Sequence, residues 1–229
     1  MTAPAQQQAQ AGLAIATADA LAGAWPLLDP HNLQSTTPGF GEVVNAIVNR
    51  HSRASAALSA QFYMQQRREH VRGRFLAVPA KPPPAQQVAS TVGWAVSGLY
   101  GPQPDVQAFQ DRMTAAAQKL VQDTGRETII DNTRRDRQAK GWARVPEPSA
   151  CFFCAMLATR GAVYKSESTA SFETHDHCQC HPEPVWTAYE PTAQIREWQH
   201  LYRDHAPGPG GMKAAQLRFR HAFEGHSAG

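Results

Sequence analysis

The sequence predicts a mainly α-helical protein, with an elongated helical N-terminal part and a small zinc-stapled α+β module near its C-terminus. Two observations predict this fold class. Apolar residues recur at spacings of three and four through most of the first 140 residues, which is the period of a helix with one buried face. All four cysteines lie between residues 151 and 180, in a segment too small to be held by an apolar core of its own.

Proline-rich segments divide the 229-residue chain into four regions. Lys81-Pro-Pro-Pro84 ends any helix and is stiff and extended, and Pro146-Glu-Pro148 forms a second boundary. We therefore expect an N-terminal helical region with a long helix, a helical middle region, a zinc-knot module and a C-terminal helical tail. Their predicted bounds are 1–80, 85–148, 149–190 and 191–229.

Two helices are predicted in the first region. Residues 1–11 are rich in Ala and Gln and are expected to be frayed, and a first helix covers Leu13–Leu28. Ser35–Thr37, before Pro38, are expected to cap the second helix. Its apolar stripe predicts about ten turns with an exposed face that meets a partner helix. The stripe consists of Phe40, Val44, Ile47, His51, Ala54, Leu58 and Phe62.

Several polar residues near these helices allow a functional and an ordinary interpretation. We interpret His51 as a packed core or interface histidine rather than a ligand. The basic run 67–74 is expected to be a cation-rich helix end, favoured by the helix dipole, rather than a phosphate site. We likewise expect the basic residues Arg134, Arg135, Arg137 and Lys140 on a solvated helix face, and contact of the three arginines with DNA is the alternative.

Three helices are predicted in the middle region. The first covers Val88–Leu99 and the second runs from Val106 to Val121, stopping near Gly125. A third begins after Thr124 and continues toward Lys140-Gly141. Each assignment depends on helical apolar spacing and on the glycines that follow it.

Short elements are predicted in the rest of the chain. Ser149 caps a helix that starts at Ala150 and ends near Gly161. Residues 162–165 and 184–186 are expected to form two paired strands. A helix over Thr192–Tyr202 is broken by Pro207–Gly211, and a last basic helix follows.

The side chains that could bind a metal are concentrated in two segments, Cys151-Phe-Phe-Cys154 and His175-Asp-His177-Cys178-Gln-Cys180. Two close ligand pairs separated by a loop are typical of a tetrahedral zinc site. The residues within a pair are poorly placed to bridge one another, whereas disulfides between the pairs remain an alternative. The predicted ligands are Cys151, Cys154, His175, Cys178 and Cys180.

The choice among these donors stays open at this point. Cys178 with Cys180 would complete an all-thiolate site, whereas His175 with one of them would complete a Cys3His site, and His177 and His181 are further donors nearby. Four protein donors leave no position for water, so we expect one structural Zn2+ and assign no catalytic and no organic-cofactor-binding residue. A catalytic metal would need an open position beside a general acid or base. Glu173, Asp176 and the histidines that do not bind the metal, His177 or His181, are the candidates for that group.

The composition argues against a membrane-spanning or secreted protein and permits a protein that contacts nucleic acid. No apolar run has the length of a membrane span, and the N-terminus lacks the pattern of a secretory signal, so we expect a reducing compartment. The net charge is +3 with a pI of about 8.8. Such mild basicity permits contact with nucleic acid without demonstrating it.

Several segments together resemble the minor head proteins of tailed bacteriophages. This is the phage Mu F-type family, in the version found in phages of actinobacteria. Proteins of that family end in a cysteine followed at a distance by His-x-x-Cys-x-Cys. His175, Cys178 and Cys180 match that ending, and Cys151 or Cys154 matches the upstream cysteine. The chain departs from the broader family in its Cys-x-x-Cys pair and in Gln179. The similar segments are 25–33, 141–145, 150–158, 160–161, 163–164, 175–180 and 183–186.

The resemblance implies a virion protein that acts in head morphogenesis and in DNA packaging or ejection. It would lie in the capsid interior near the portal, and in the host cytoplasm during assembly. Its expected partners are the portal and/or the major capsid protein, with weak contact to packaged DNA, no membrane and no small-molecule substrate. The sequence favours a protein that is not an enzyme. A zinc-dependent hydrolase, a nuclease or a capsid maturation protease, is the alternative.

Overall fold

The computed structural model describes residues 3–100, 103–147, 150–163 and 180–227. This part of the chain holds seven α-helices and one two-stranded sheet, which confirms the mainly helical class. None of the described helices is long and apolar enough to cross a membrane. In chain order the elements are α1 Ala3–Ala22, α2 Leu33–His70, α3 Ala85–Val96, α4 Val106–Arg135, β1 Gly141–Val145, α5 Phe152–Ala158, β2 His181–Val185, α6 Ala193–His205 and α7 Gly211–Ser227.

The first four helices share one apolar core. Helices α2 and α4 run parallel, since Phe40 meets Phe109 near their N-terminal ends and Arg67 meets Asp136 at their C-terminal ends. The rings of Trp25, Phe40 and Phe109 lie 5.6 to 5.9 Å apart and close one end of this core. The core therefore joins residues from both sides of the proline-rich segment.

Helix α1 differs from its prediction at both ends. It begins at Ala3 instead of following a frayed segment, and it ends at Ala22, with only a short 3-10 turn at Trp25–Leu27 beyond it. Its N-terminal turns are held by polar contacts with α2: Gln6 and Gln10 each donate to Ser59 Oγ at 3.1 Å. Long amides that reach buried hydroxyls order a segment whose composition suggested fraying.

Helix α2 also starts earlier than predicted, and its stripe is internal. It begins at Leu33, so Pro38 lies inside it and Ser35–Thr37 are not its cap. A proline this close to the N-terminus removes only the hydrogen bond to the Gln34 carbonyl. The stripe packs against α1, α3 and α4, with Phe40, Val44 and Phe62 fully buried. The prediction of an exposed heptad face is therefore wrong. The spacing of apolar residues indicates that one face of the helix is buried, but it does not indicate whether the same chain or a partner covers that face.

His51 lies within the helical packing, as predicted. It is half-buried, and its Nδ1 is 2.8 Å from Thr17 Oγ1 on α1. Burial lowers the pKa of His51, and the Arg50 charge acts in the same direction.

One continuous helix, α4, replaces the two that were predicted around Gly125. A Cβ at Gly125 would lie 2.4 Å from Ser55 Oγ and 2.9 Å from Ser59 Oγ. Gly125 therefore permits close approach of α4 to α2 rather than ending a helix. The helix that was predicted to continue toward Lys140 ends at Arg135.

Residues 71–84 form no helix or strand, and they are held against α4. The Asn132 side chain accepts a hydrogen bond from Val78 N and donates one to Val78 O, both at 2.8 Å. One helical turn earlier, Thr128 Oγ1 accepts from Ala80 N at 2.9 Å. The segment thus packs along α4, and we call residues 71–84 the strap.

The sheet has a different first strand from the predicted one. Strand β1 pairs with β2 antiparallel, with Gly141 opposite Val185 and Val145 opposite His181. The prediction paired 184–186 with 162–165. Ala162 and Val163 form no strand, and Tyr164 and Lys165 lie outside the described residues. The apolar content of 162–165 suggested a strand, but Gly141–Val145 is the segment that reaches β2 directly from the end of α4.

The C-terminal helices lie where they were predicted, but α5 starts later. It begins at Phe152 with Cys151 as its N-cap, because the backbone of Cys151 is still extended at ψ 161°. The predicted start at Ala150 is therefore wrong, and the predicted cap, Ser149, lies outside the described residues. Gly161 has φ +67°, a conformation suited to glycine after a helix. Thr192 Oγ1 accepts from Ile195 N and caps α6. Helices α5, α6 and α7 enclose a second core around Ile195, Trp198 and Phe219.

Candidate metal centre

Three of the five predicted ligands lie in the described part of the chain. Cys154 and Cys180 are 1% exposed and belong to the core enclosed by α5, α6 and α7, and half-buried Cys151 packs against the same core. The fold thus gathers thiols from two separate segments in one apolar cluster. The other two predicted ligands, His175 and Cys178, lie outside the described residues.

Helix α5 positions the upstream pair. Cys151 at the N-cap and Cys154 in the first turn are three residues apart, which places them near one another on the helix surface. The Cys151 carbonyl accepts from Ala155 N at 3.0 Å, so the first turn is closed immediately after Cys151. Such a turn suits two ligands that must share one metal.

Arg144, on strand β1, places a cation at the buried thiol. Its side chain is among the largest fully buried ones, and Nη1 lies 3.7 Å from Cys154 Sγ. A neighbouring guanidinium favours the thiolate form of cysteine, and the thiolate is the form that binds metal. Sequence reasoning missed Arg144, because nothing in Gly141–Val145 distinguishes an inward arginine from a solvated one.

Arg126, on α4, fixes the downstream segment. Its Nε donates to the Cys180 carbonyl at 3.0 Å, while Nη1 pairs with Asp123 at 2.7 Å and Nη2 donates to Gln122 at 3.1 Å. Arg126 is 5% exposed. The four-helix part of the molecule therefore holds the backbone at Cys180.

His181 follows Cys180 and is buried as a neutral imidazole. Burial, and to a smaller extent the nearby Arg126 charge, together lower the pKa of His181 to about 4. Neither ring nitrogen has a hydrogen-bond partner among the residues that the structure describes. His181 borders a cavity of about 20 Å³ with Gln6, Gln10 and Ser59, enough for about one water molecule.

The described residues do not by themselves assemble a metal site. Among residues 3–100, 103–147, 150–163 and 180–227, no group of three or more His, Cys, Asp or Glu side chains is arranged to hold a metal ion. The donors that would complete the predicted set with Cys151 and Cys154 include His175 and Cys178, which fall in the gap from 164 to 179. The donor chemistry is that of zinc, since thiolates and imidazole are its preferred ligands, and the ligand set stays a prediction.

These features define a mainly helical protein in which a helical bundle carries a smaller, cysteine-rich C-terminal core. The chain belongs to the VG15 protein family, whose model matches residues 2–205. VG15 is a family of viral and phage proteins, so this is a bacteriophage protein. No curated protein and no solved structure matches the chain significantly.

Proposed function

We propose that this bacteriophage protein is a minor head protein, a structural component of the virion in the capsid interior near the portal. The observation that carries the proposal is the family match, which extends over nearly the whole chain. The resemblance of His175, Cys178, Cys180 and one of Cys151 or Cys154 to the ending of phage Mu F-type proteins supports a role in the head. The protein would act in head morphogenesis and in DNA packaging or ejection, and it would pass through the host cytoplasm during assembly.

The proposed function includes one structural Zn2+ held by Cys151, Cys154 and two donors among His175, Cys178 and Cys180. Two features support it: three of the thiols share one apolar core, and the Arg144 cation lies at Cys154 Sγ. Four protein donors close the coordination shell, so the ion would join α5 to the segment before β2 without doing chemistry. Elemental analysis of untagged protein should give about one zinc per chain. A protein without zinc that melts identically with and without a strong chelator would contradict this part.

The proposed partners are the portal and/or the major capsid protein. The apolar stripe of α2 offers little surface for this contact, because three of its seven residues are fully buried and the other four are half-buried. The docking surface must therefore be sought among exposed residues. Affinity capture of the tagged chain from infected cells should retain portal or major capsid protein, compared with capture of the free tag.

A phage with a stop codon in this gene tests the role in the head. We expect head-like particles that lack DNA or that retain their DNA after adsorption, and we expect the protein among the components of purified wild-type virions. Infectious, filled particles without the protein would overturn the proposal. Absence of the protein from wild-type virions would do the same.

The zinc-dependent hydrolase remains the alternative, and one described feature weighs against it. His181, one of the histidines considered for an acting group, is 7% exposed and so is out of reach of a macromolecular substrate. The other, His177, lies outside the described residues. Metal-dependent cleavage of DNA or of a capsid peptide that is abolished by His177→Ala in a folded protein would favour the hydrolase instead.

A further inference from the structure

The positive charge of the chain is concentrated in two short runs. Residues 67–74 and 131–140 together contain eight Lys or Arg and three Asp or Glu, a formal net charge of +5, whereas the whole chain carries +3. The two runs are separated in sequence by more than fifty residues. As separate helix ends, each is explained by the preference of cations for helix C-termini.

The fold brings the two runs together on one surface. Arg67 Nε contacts Asp136 Oδ2 at 2.8 Å, and Gln138 Nε2 donates to the Arg72 carbonyl at 3.2 Å. The chain that leaves α2 thus lies on the turn that follows α4. We call this joined region, residues 67–74 with 131–140, the basic end surface.

Most of the Lys and Arg side chains on the basic end surface are not bound to other residues that the structure describes. Their side chains are exposed and make no hydrogen bond or ion pair with any described residue. Arg67 is the contrasting case, since it is buried against Asp136. The exposed, unengaged cations are Arg68, Arg72, Arg74, Arg137 and Lys140.

From this juxtaposition we propose that the basic end surface binds the phosphate backbone of duplex DNA. Guanidinium groups pair with phosphate oxygens in a planar, two-bond geometry. The two helix dipoles cancel only about one charge between them, so the surface stays strongly positive. The inference rests on the proposed role in DNA packaging or ejection, to which it adds the surface that contacts DNA, and its test requires neither the metal nor a capsid partner.

The same residues favour duplex over single-stranded DNA. Proteins that bind single strands stack bases on exposed aromatic rings, and the two runs contain no Phe, Tyr or Trp. The adjacent Phe75 is half-buried, with the Arg67 guanidinium 5.1 Å from its ring centroid. Contacts limited to phosphate carry no direct sequence information, so we expect binding without sequence preference.

The test compares two variants of equal charge. One replaces Arg68, Arg72, Arg74 and Arg137 with Gln; the control replaces Arg50, Arg53, Arg112 and Lys213, which are exposed elsewhere, with Gln. Each variant lowers the net charge from +3 to −1. Fluorescence anisotropy with a labelled mixed-sequence duplex of about 20 base pairs would measure affinity from about 0.05 to 0.3 M salt.

For the parent protein we expect log K to fall with log salt at a slope of about −4, because four to five phosphates are neutralised at about 0.9 per contact. The surface variant should bind at least about tenfold more weakly with a shallower slope, and the control should stay within about threefold. Thermal melting of each variant checks its fold. Should the surface variant be destabilised, the double variant Arg74→Gln with Arg137→Gln replaces it. Its salt dependence should be shallower than that of the parent, with a slope of about −2 instead of about −4.

Three outcomes would overturn the proposal. The first is no binding of the parent protein at the lowest salt, and the second is equal loss in both four-site variants. The third is binding of an acidic peptide that equals binding of the duplex and that the surface variant alone loses, which would assign the surface to a protein partner.

Discussion

Arg67 Nε donates a hydrogen bond to Asp136 Oδ2 at 2.8 Å, which joins the C-terminal ends of two parallel helices inside the protein. Trp186 Nε1 donates to the same oxygen at 2.9 Å, and Tyr63 OH lies 3.4 Å from it. The backbone N–H of Gln138 binds the other oxygen at 3.1 Å. One buried carboxylate thus holds α2, α4 and the residue after β2, and it links the helical bundle to the sheet.

Asp136→Asn should destabilise the protein by about 3 to 5 kcal/mol, because it leaves the Arg67 guanidinium buried without its counter-ion. Urea unfolding followed by circular dichroism measures the change. The matched control is Asp131→Asn, which breaks the solvent-exposed pair with Arg134 at 3.1 Å and should cost less than about 1 kcal/mol. Equal losses of unfolding free energy in the two variants would show that the buried ion pair stabilises the protein no more than the exposed one.

Stability at acid pH should depend on Asp136. Burial raises the pKa of Asp136, but the hydrogen bonds from Arg67, Trp186 and Gln138 outweigh it and hold that pKa below its usual value. The stabilisation is therefore complete above the unfolded-state pKa of about 3.9 and is lost as the pH falls through the folded-state pKa. The difference in unfolding free energy between parent and Asp136→Asn should shrink below about pH 4. A constant difference down to about pH 2 would contradict this assignment.

Asn132→Ala should release the strap formed by residues 71–84. The side-chain amide of Asn132 binds both the N–H and the carbonyl of Val78, and it is fully buried. We expect a loss on the order of 2 kcal/mol and faster hydrogen exchange at Val78 N. Gln138→Ala, which removes one exposed contact to Arg72, serves as the control, with a change within about 0.5 kcal/mol. Unchanged exchange at Val78 would show that the strap is held by other contacts.

Gly125→Ala should destabilise the protein although alanine favours helices. The added methyl would lie 2.4 Å from Ser55 Oγ, and overpacking of this kind costs about 1 to 3 kcal/mol. The control is Gly93→Ala in α3, where a Cβ has no neighbour within 4 Å, and it should be stabilising by up to about 1 kcal/mol. Thermal and urea unfolding compare the two. A stabilised Gly125→Ala protein would mean that the contact between α4 and α2 tolerates a side chain.

Arg144→Met should weaken zinc binding if the proposed metal centre is correct. Methionine fills a similar volume without the N–H group at Cys154 Sγ, so the thiolate would be less favoured. We expect about 10- to 100-fold lower zinc affinity in chelator competition, with a greater loss at lower pH. Cys154→Ser should bind still more weakly. Equal zinc affinity of the Arg144→Met variant and the parent across pH would show that Arg144 does not contribute to zinc binding.

Local chemistry allowed many elements to be predicted from the sequence. The period of apolar residues predicted α2, α3, α6 and α7, and Gly161 marked the end of α5. The cysteine spacing drew attention to the segment whose thiols the fold gathers in one core. These signals are readable because helix period, caps and ligand spacing act over a few neighbouring residues.

What surrounds each element was decided only by tertiary structure. The same glycine can end a helix or admit a neighbour, and Gly125 does the latter because Ser55 and Ser59 lie against it. The burial of the Arg144 side chain against Cys154 and the pairing of β1 with β2 likewise depend on residues distant in sequence. The sequence by itself determined most of the helical segments and where the thiols concentrate. Only the fold decided which faces are buried and that two basic runs meet, because burial and charge density depend on long-range packing that no local pattern specifies.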